Sequence, residues 1–205
     1  MKRHEKQAQT RAALLAAAAK VFAGRGYHAA KLEQIAAEAG LTTGAVYSNF
    51  AGKEDLFLAL ADQQVEKRRL EIGSILAQPT NAATLATEGA RRFSAFLEHD
   101  PDWPLLFFEF WAYGVRTPRL HEEFAKRRRV VQNTIADVIG RAADTLDLQL
   151  PYPAEQLAVG LGAAINGLAF ERVADPGVVP DELFSFMVSA LATAIFAAAT
   201  PRRSS

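Results

Sequence analysis

From Thr42 to Asn49 the chain reads TTGAVYSN, a run of hydroxyls, small side chains, one phenol and one amide. These groups donate and accept hydrogen bonds, and only Tyr47 among them is bulky. The spacing predicts a short helix over roughly Thr43 to Asn49, about 10 Å long at about 1.5 Å per residue. Val46 and Phe50 are its apolar anchors, leaving Thr43, Gly44, Ala45, Tyr47, Ser48 and Asn49 on the other face. A face with so little bulk can press into a major groove, where hydroxyls and amides meet base edges and phosphates.

Such a helix needs elements that aim it. Leu32, Ile35, Ala36 and Ala39 fall at i, i+3, i+4 and i+7 and mark the apolar side of a preceding helix. Gly40 is placed to stop that helix, because glycine takes a positive φ without a Cβ clash. Thr42 or Thr43 then restarts the chain as an N-cap. Upstream, Leu14, Ala18, Val21 and Phe22 form one stripe of a first helix, with Lys20 interrupting the apolar run. That spacing argues against a cleaved leader, which the basic MKRHEKQAQTR followed by ALLAAAA would otherwise suggest.

In order, these parts are VFAGRGY (Val21 to Tyr27), IAAEAGLTTGAVYSNF (Ile35 to Phe50) and GKEDLF (Gly52 to Phe57). From about Leu14 to Leu60 the chain closely resembles the helix-turn-helix of the TetR family of bacterial transcriptional regulators. Gly44, Tyr47, Phe50, Lys53 and Leu56 stand at family spacing. One departure is that the family usually opens its second helix with Thr or Ser, where this chain has Ala30 and Lys31. The cap should be weaker by about 0.5–2 kcal/mol, while Lys31 gains reach toward a phosphate or base edge. The expected DNA-binding set is Lys31, Thr42, Thr43, Gly44, Ala45, Tyr47, Ser48, Asn49 and Lys53. Tyr47 and Lys53 should hold phosphates; Thr43, Ala45, Ser48, Lys31 and Asn49 should face bases.

Charge is distributed to match. Residues 1–53 carry eight basic and three acidic side chains, whereas the remainder carries 15 basic and 20 acidic ones, so the net charge of zero hides a basic front end. A basic reader favours phosphate contact and counterion release. The chain has no cysteine, which excludes disulfides and thiolate chemistry and makes the cytoplasm the default compartment. The four histidines are scattered, so no metal site is expected. No Gly-x-Ser-x-Gly, P-loop or carboxylate pair marks an enzyme, and Gly160-Leu-Gly162 follows no strand, so no cofactor is implied.

The expected fold is all-α: a three-helix DNA-binding domain over residues 1–53, then a bundle of about six helices over 54–205 for effector binding and dimerisation. Helices are predicted over Glu54–Ala77, Ala82–Glu98, Leu105–Val115, Arg119–Leu146, Ala154–Ala174 and Asp181–Ala199, with an HDPDWP turn between the second and third. No strand signal is present. Nine helices match the TetR-family plan. The uncharged runs Gln156–Phe170 and Leu183–Pro201 suit close helix contact better than lipid, since small residues and regularly spaced hydroxyls replace leucine. The family resemblance implies that these last two helices pair with their copies in a homodimer.

WPLLFFEFWAYG supplies rings at i, i+4, i+7 and i+8. Two readings of them stand, a packed core and a cavity lined by aromatics. Because the family holds its effector inside this bundle, the expected ligand site is Phe93, Phe107, Phe110, Trp111, Asn166 and Phe170. Glu109, Arg116 and Glu171 are further polar handles, and Phe96 is a further ring. The run Arg127, Arg128, Arg129 reads as a solvated helix face. Together these features imply a homodimeric regulator that binds a double-stranded, pseudopalindromic DNA operator and is released by an apolar or amphipathic small molecule. Two alternatives stand beside it: a ligand-independent regulator or activator whose C-terminal domain only dimerises, and a small helical enzyme.

Overall fold

The computed structural model describes residues 3–74, 88, 91, 103–175 and 177–202. Among them are eight helices: α1 (Arg3–Ala29), α2 (Leu32–Glu38), α3 (Thr43–Tyr47), α4 (Lys53–Gly73), α5 (Trp103–Gly114), α6 (Pro118–Thr145), α7 (Ala154–Ala174) and α8 (Asp181–Ala197). The helix expected over Ala82–Glu98 lies outside the described residues. Among the described residues the fold is all-α apart from one small pairing, and the chain divides into two compact units, described separately below.

The first unit comprises Met1–Val65 and Leu106–Arg127, so packing groups residues 106–127 with the N-terminal segment, a different partition from the functional division expected at residue 53. Leu14, Ala18 and Phe22 of α1 are fully buried, as the stripe requires. Helix α1 breaks at Gly26, which takes φ 75 and ψ 162. Phe57 stacks on Phe110 with ring centroids 3.9 Å apart, and Tyr27 meets Phe110 edge-on at 4.9 Å. Phe22 and Phe124 close the cluster. Rings in such offset and edge-to-face contacts contribute about 0.5–1.5 kcal/mol per pair beyond burial.

The second unit comprises Glu66–Leu105 and Arg128–Ser205. Ala136 and Ile139 of α6 and Ala158 of α7 form a buried cluster, against which Ile135, Leu150, Leu157, Ile195 and Phe196 pack. Arg172 pairs with Asp181 at 2.7 Å and lies over the Phe184 ring. Two-residue strands β1 (Leu148–Gln149) and β2 (Thr200–Pro201) pair antiparallel. The sequence carries no sign of them, because alternation has no meaning over two residues.

Pro104, expected in a turn, sits in the first turn of α5. The first N–H groups of a helix have no intrahelical partner, so proline costs little there. Arg127 is a second correction. Its side chain is 17% exposed and pairs with Asp62 at 2.7 Å and Glu123 at 2.9 Å, so it belongs to an ionic cluster joining α4 to α6 within the first unit. Two carboxylates within reach outweigh hydration of a single guanidinium.

Candidate nucleic-acid interface

Gly40 has φ 66, the left-handed conformation that ends α2 and redirects the chain. Thr42 caps α3: its hydroxyl oxygen accepts from the Ala45 N–H at 3.3 Å. Val46 is fully buried and anchors α3, while Tyr47 is 59% exposed. Ser48 is exposed beside it, with its hydroxyl donating to the Ala45 carbonyl at 2.9 Å. Its oxygen accepts from the Asn49 amide at 3.2 Å, which leaves one lone pair open. Asn49 turns its amide nitrogen inward, to the Ala45 carbonyl at 2.8 Å.

Arg11 joins this site from α1, with no local sequence pattern to mark it. It donates to the Asn49 carbonyl at 2.9 Å and lies over the Phe50 ring at 4.2 Å, so α1 grips the end of α3. Helix α2 begins as its sequence implies, without a side-chain acceptor at its cap. Lys31 occupies that position, and only the reciprocal half of a capping box forms, with the Lys31 N–H donating to the Gln34 side chain at 3.1 Å.

Lys53 differs most from expectation. Its ammonium donates to the carbonyls of Tyr27, His28 and Ala30 at 2.8, 3.0 and 3.1 Å. An ammonium has three N–H donors, and in this arrangement none remains for a phosphate. Burial lowers the Lys53 pKa, with the Glu109 carboxylate opposing. Glu109 accepts from the Tyr27 and His28 N–H groups at 2.9 and 3.0 Å. Burial foremost, then Glu54, Tyr113 and Glu109, pushes the Tyr27 phenol up. Beside these groups a cavity of about 330 Å³ is lined by Tyr27, His28, Ala51, Gly52, Lys53, Glu54, Asp55, Tyr113 and Arg119.

The expected ligand residues divide between the two units. Phe107 is half-buried against Phe124, Phe110 is fully buried in the ring cluster, and Trp111 is 42% exposed. Those three belong to the first unit. In the second unit, Asn166 is half-buried on α7 and Phe170 lies on that helix's exposed side. Phe93 and Phe96 lie outside the described residues. Among the further handles, Glu109 is committed to backbone, whereas Arg116 and Glu171 are exposed.

A short, capped, polar-faced helix held across a tight turn from a supporting helix defines a helix-turn-helix DNA-binding protein. Residues 14–60 match the family described as bacterial regulatory proteins, tetR family, and residues 90–197 match the BetI-type transcriptional repressor, C-terminal, family. The chain belongs to the TetR family of bacterial transcriptional regulators. The transcriptional activator FasR of Mycolicibacterium smegmatis is 29% identical over 155 residues, covering 76% of this chain and 68% of that protein. A TetR-family regulator from Mesorhizobium loti superposes with TM-score 0.80 at 20% identity, over 97% of this chain and 99% of the other. FadR from Bacillus subtilis, solved with stearoyl-CoA, superposes with TM-score 0.75 at 15% identity, over 91% and 97% respectively.

Proposed function

We propose that this chain is a homodimeric repressor that reads a pseudopalindromic operator with α3 and leaves it when a small apolar or amphipathic molecule binds its C-terminal region. Residues 1–53 are the reader and 54–205 the sensing and dimerisation region. The observation that carries the reading is the exposed polar face of α3, set by the Thr42 cap and the Gly40 turn. Thr43, Ala45, Ser48, Asn49 and Lys31 face bases, and Tyr47 touches a phosphate. The C-terminal match to a repressor type supports the sign of regulation.

Dimerisation through α7 and α8 is supported by what the single chain leaves uncovered. On α7 the exposed positions Gln156, Val159, Gly160, Ala163, Gly167 and Phe170 recur every three or four residues and make one uncharged stripe. On α8, Leu183, Phe186, Met187 and Leu191 are 36–66% exposed. Helix α7 is also long and apolar enough to cross a membrane; stripes of this kind on two neighbouring helices suit a second copy of the chain. Two readers in such a dimer would engage half-sites about 34–36 Å apart.

The stearoyl-CoA held by the FadR relative supports an apolar effector class for this chain. Asn166, with no side-chain hydrogen bond among the described residues, supplies the polar handle. Phe93, Phe107, Phe110, Trp111 and Phe170 remain the apolar candidates, each open to test by substitution.

The test of the reader is selection of duplexes from a random-sequence library by the full-length protein, repeated with Ser48→Ala. The selected sequence should change at one position of each half-site, because a base contact carries about 1–3 kcal/mol of discrimination. Selection of no common sequence by the unchanged protein would overturn the proposal.

A further inference from the structure

The joint between α1 and α2 is held by two opposite charges drawn from other helices. Gly26 interrupts the helical ladder, and the N–H groups of Tyr27 and His28 open the short helical piece that follows as donors without an intrahelical partner, a setting suited to an anion. The Glu109 carboxylate fills it, one oxygen to each N–H. The fit is close: a Cβ built on Gly26 would lie 3.0 and 3.1 Å from the two carboxylate oxygens. On the carbonyl side of the same segment sits the Lys53 ammonium. Immediately beyond it is Lys31, the cap position of α2, which supplies no acceptor of its own.

Helix α2 therefore starts from a segment that its own sequence does not fix. Glu109 lies on α5, inside the region of the C-terminal repressor-type match and outside the region of the reader match. Its neighbour Phe110 packs on the Tyr27 ring. We propose that Glu109 is a positioning residue for operator binding: its carboxylate fixes the Tyr27–Ala30 segment, and through it the start of α2, so that α5 sets the orientation of the reader. This rests on the reading of α3 as the base-contacting helix. Glu109 touches no DNA in this scheme; it acts through the backbone.

The test uses the full-length dimer and a duplex selected from a random-sequence library by the unchanged protein. Glu109→Ala should weaken binding by about tenfold or more, within the range of about 5–150-fold usual for coupled sites. Its salt slope should be unchanged, because no phosphate contact is lost. Amide exchange at Tyr27 and His28 should accelerate while sedimentation stays dimeric. Glu109→Gln, which keeps an acceptor oxygen, should restore part of both affinity and protection. Affinity unchanged in Glu109→Ala, or a loss accompanied by a slope smaller by about one, overturns the assignment. If Glu109→Ala does not fold, Glu109→Gln decides: a folded dimer with weakened binding supports the assignment, and unchanged binding overturns it. Failure of the unchanged protein to select any sequence would instead refute the reader itself.

Discussion

Gly167→Arg tests the proposed dimer face without disturbing the chain that carries it. Gly167 lies on the exposed stripe of α7, and a Cβ added there meets nothing within 4 Å. Within one chain the substitution should be harmless or stabilising, since glycine in a helix interior costs about 0.8–1.0 kcal/mol relative to alanine. In a two-fold dimer the same position is occupied twice, so any penalty counts twice. Placing an unpaired guanidinium in an apolar contact, with some relief by bending toward water, costs about 2–3 kcal/mol per copy. The dimer should then weaken by about 5 kcal/mol, or roughly 10³–10⁴-fold at about 1.4 kcal/mol per factor of ten. Sedimentation velocity across a concentration series, paired with circular dichroism, reads both halves of the argument. The expected result is a folded monomer with weak operator affinity. A dimer as tight as the unchanged protein would remove Gly167 from the interface, and an unfolded chain would refute the claim that this face is open.

Lys53→Met should lower stability by about 2 kcal/mol, after discounting three charge-assisted bonds for partial exposure, or about 4–8 °C in Tm. Its operator binding should weaken with little change of salt slope; a slope smaller by about one would show that Lys53 leaves the carbonyls to meet a phosphate. The raised Tyr27 phenol predicts a pH effect of definite sign. The unfolded chain loses that proton first, so stability is fully present below the ordinary tyrosine value of about 10 and falls as pH rises above it. Tyr27→Phe should flatten that fall in chemical denaturation between neutral and strongly basic pH, and an unchanged profile would contradict the shift. Asn166→Ala should change stability by under about 0.5 kcal/mol yet weaken effector-driven operator release about fivefold, one hydrogen bond's worth. A large loss of stability with an intact response would place Asn166 in the structural core.

What the sequence disclosed was local. Gly40, the Thr42 cap and the bounds of α7 follow from signals within a few residues, and the structure has each of them. Likewise the buried stripe of α1 follows from its period alone. Lys53, Glu109 and Arg127 were legible only as charges. The partners of Lys53 and Glu109 stand 23 to 26 and 81 to 82 residues away, and the Asp62 partner of Arg127 stands 65 away. No pattern within a helix encodes those pairings, whereas the Glu123 partner of Arg127, four residues back, follows helix spacing. The half capping box at Lys31 lay within reach, since Gln34 stands three residues on. For the ligand residues, aromatic spacing could not separate core from cavity: Phe110 is enclosed by other rings, while Trp111, one residue on, is exposed.

The left-handed glycine under Glu109 also orders the changes this chain can accumulate. A side chain at position 26 meets two penalties at once, backbone strain at φ 75 and collision with the carboxylate. Replacing Glu109 lifts only the second. On steric grounds position 109 can therefore change while position 26 stays glycine, at a cost in operator affinity, but position 26 cannot change first. In diverging descendants of this sequence, loss of the acid at 109 should be found with the glycine retained, and loss of the glycine should be found only where residues 26–30 have been rebuilt. The two sites are linked in one direction, like a ratchet in the history of the molecule.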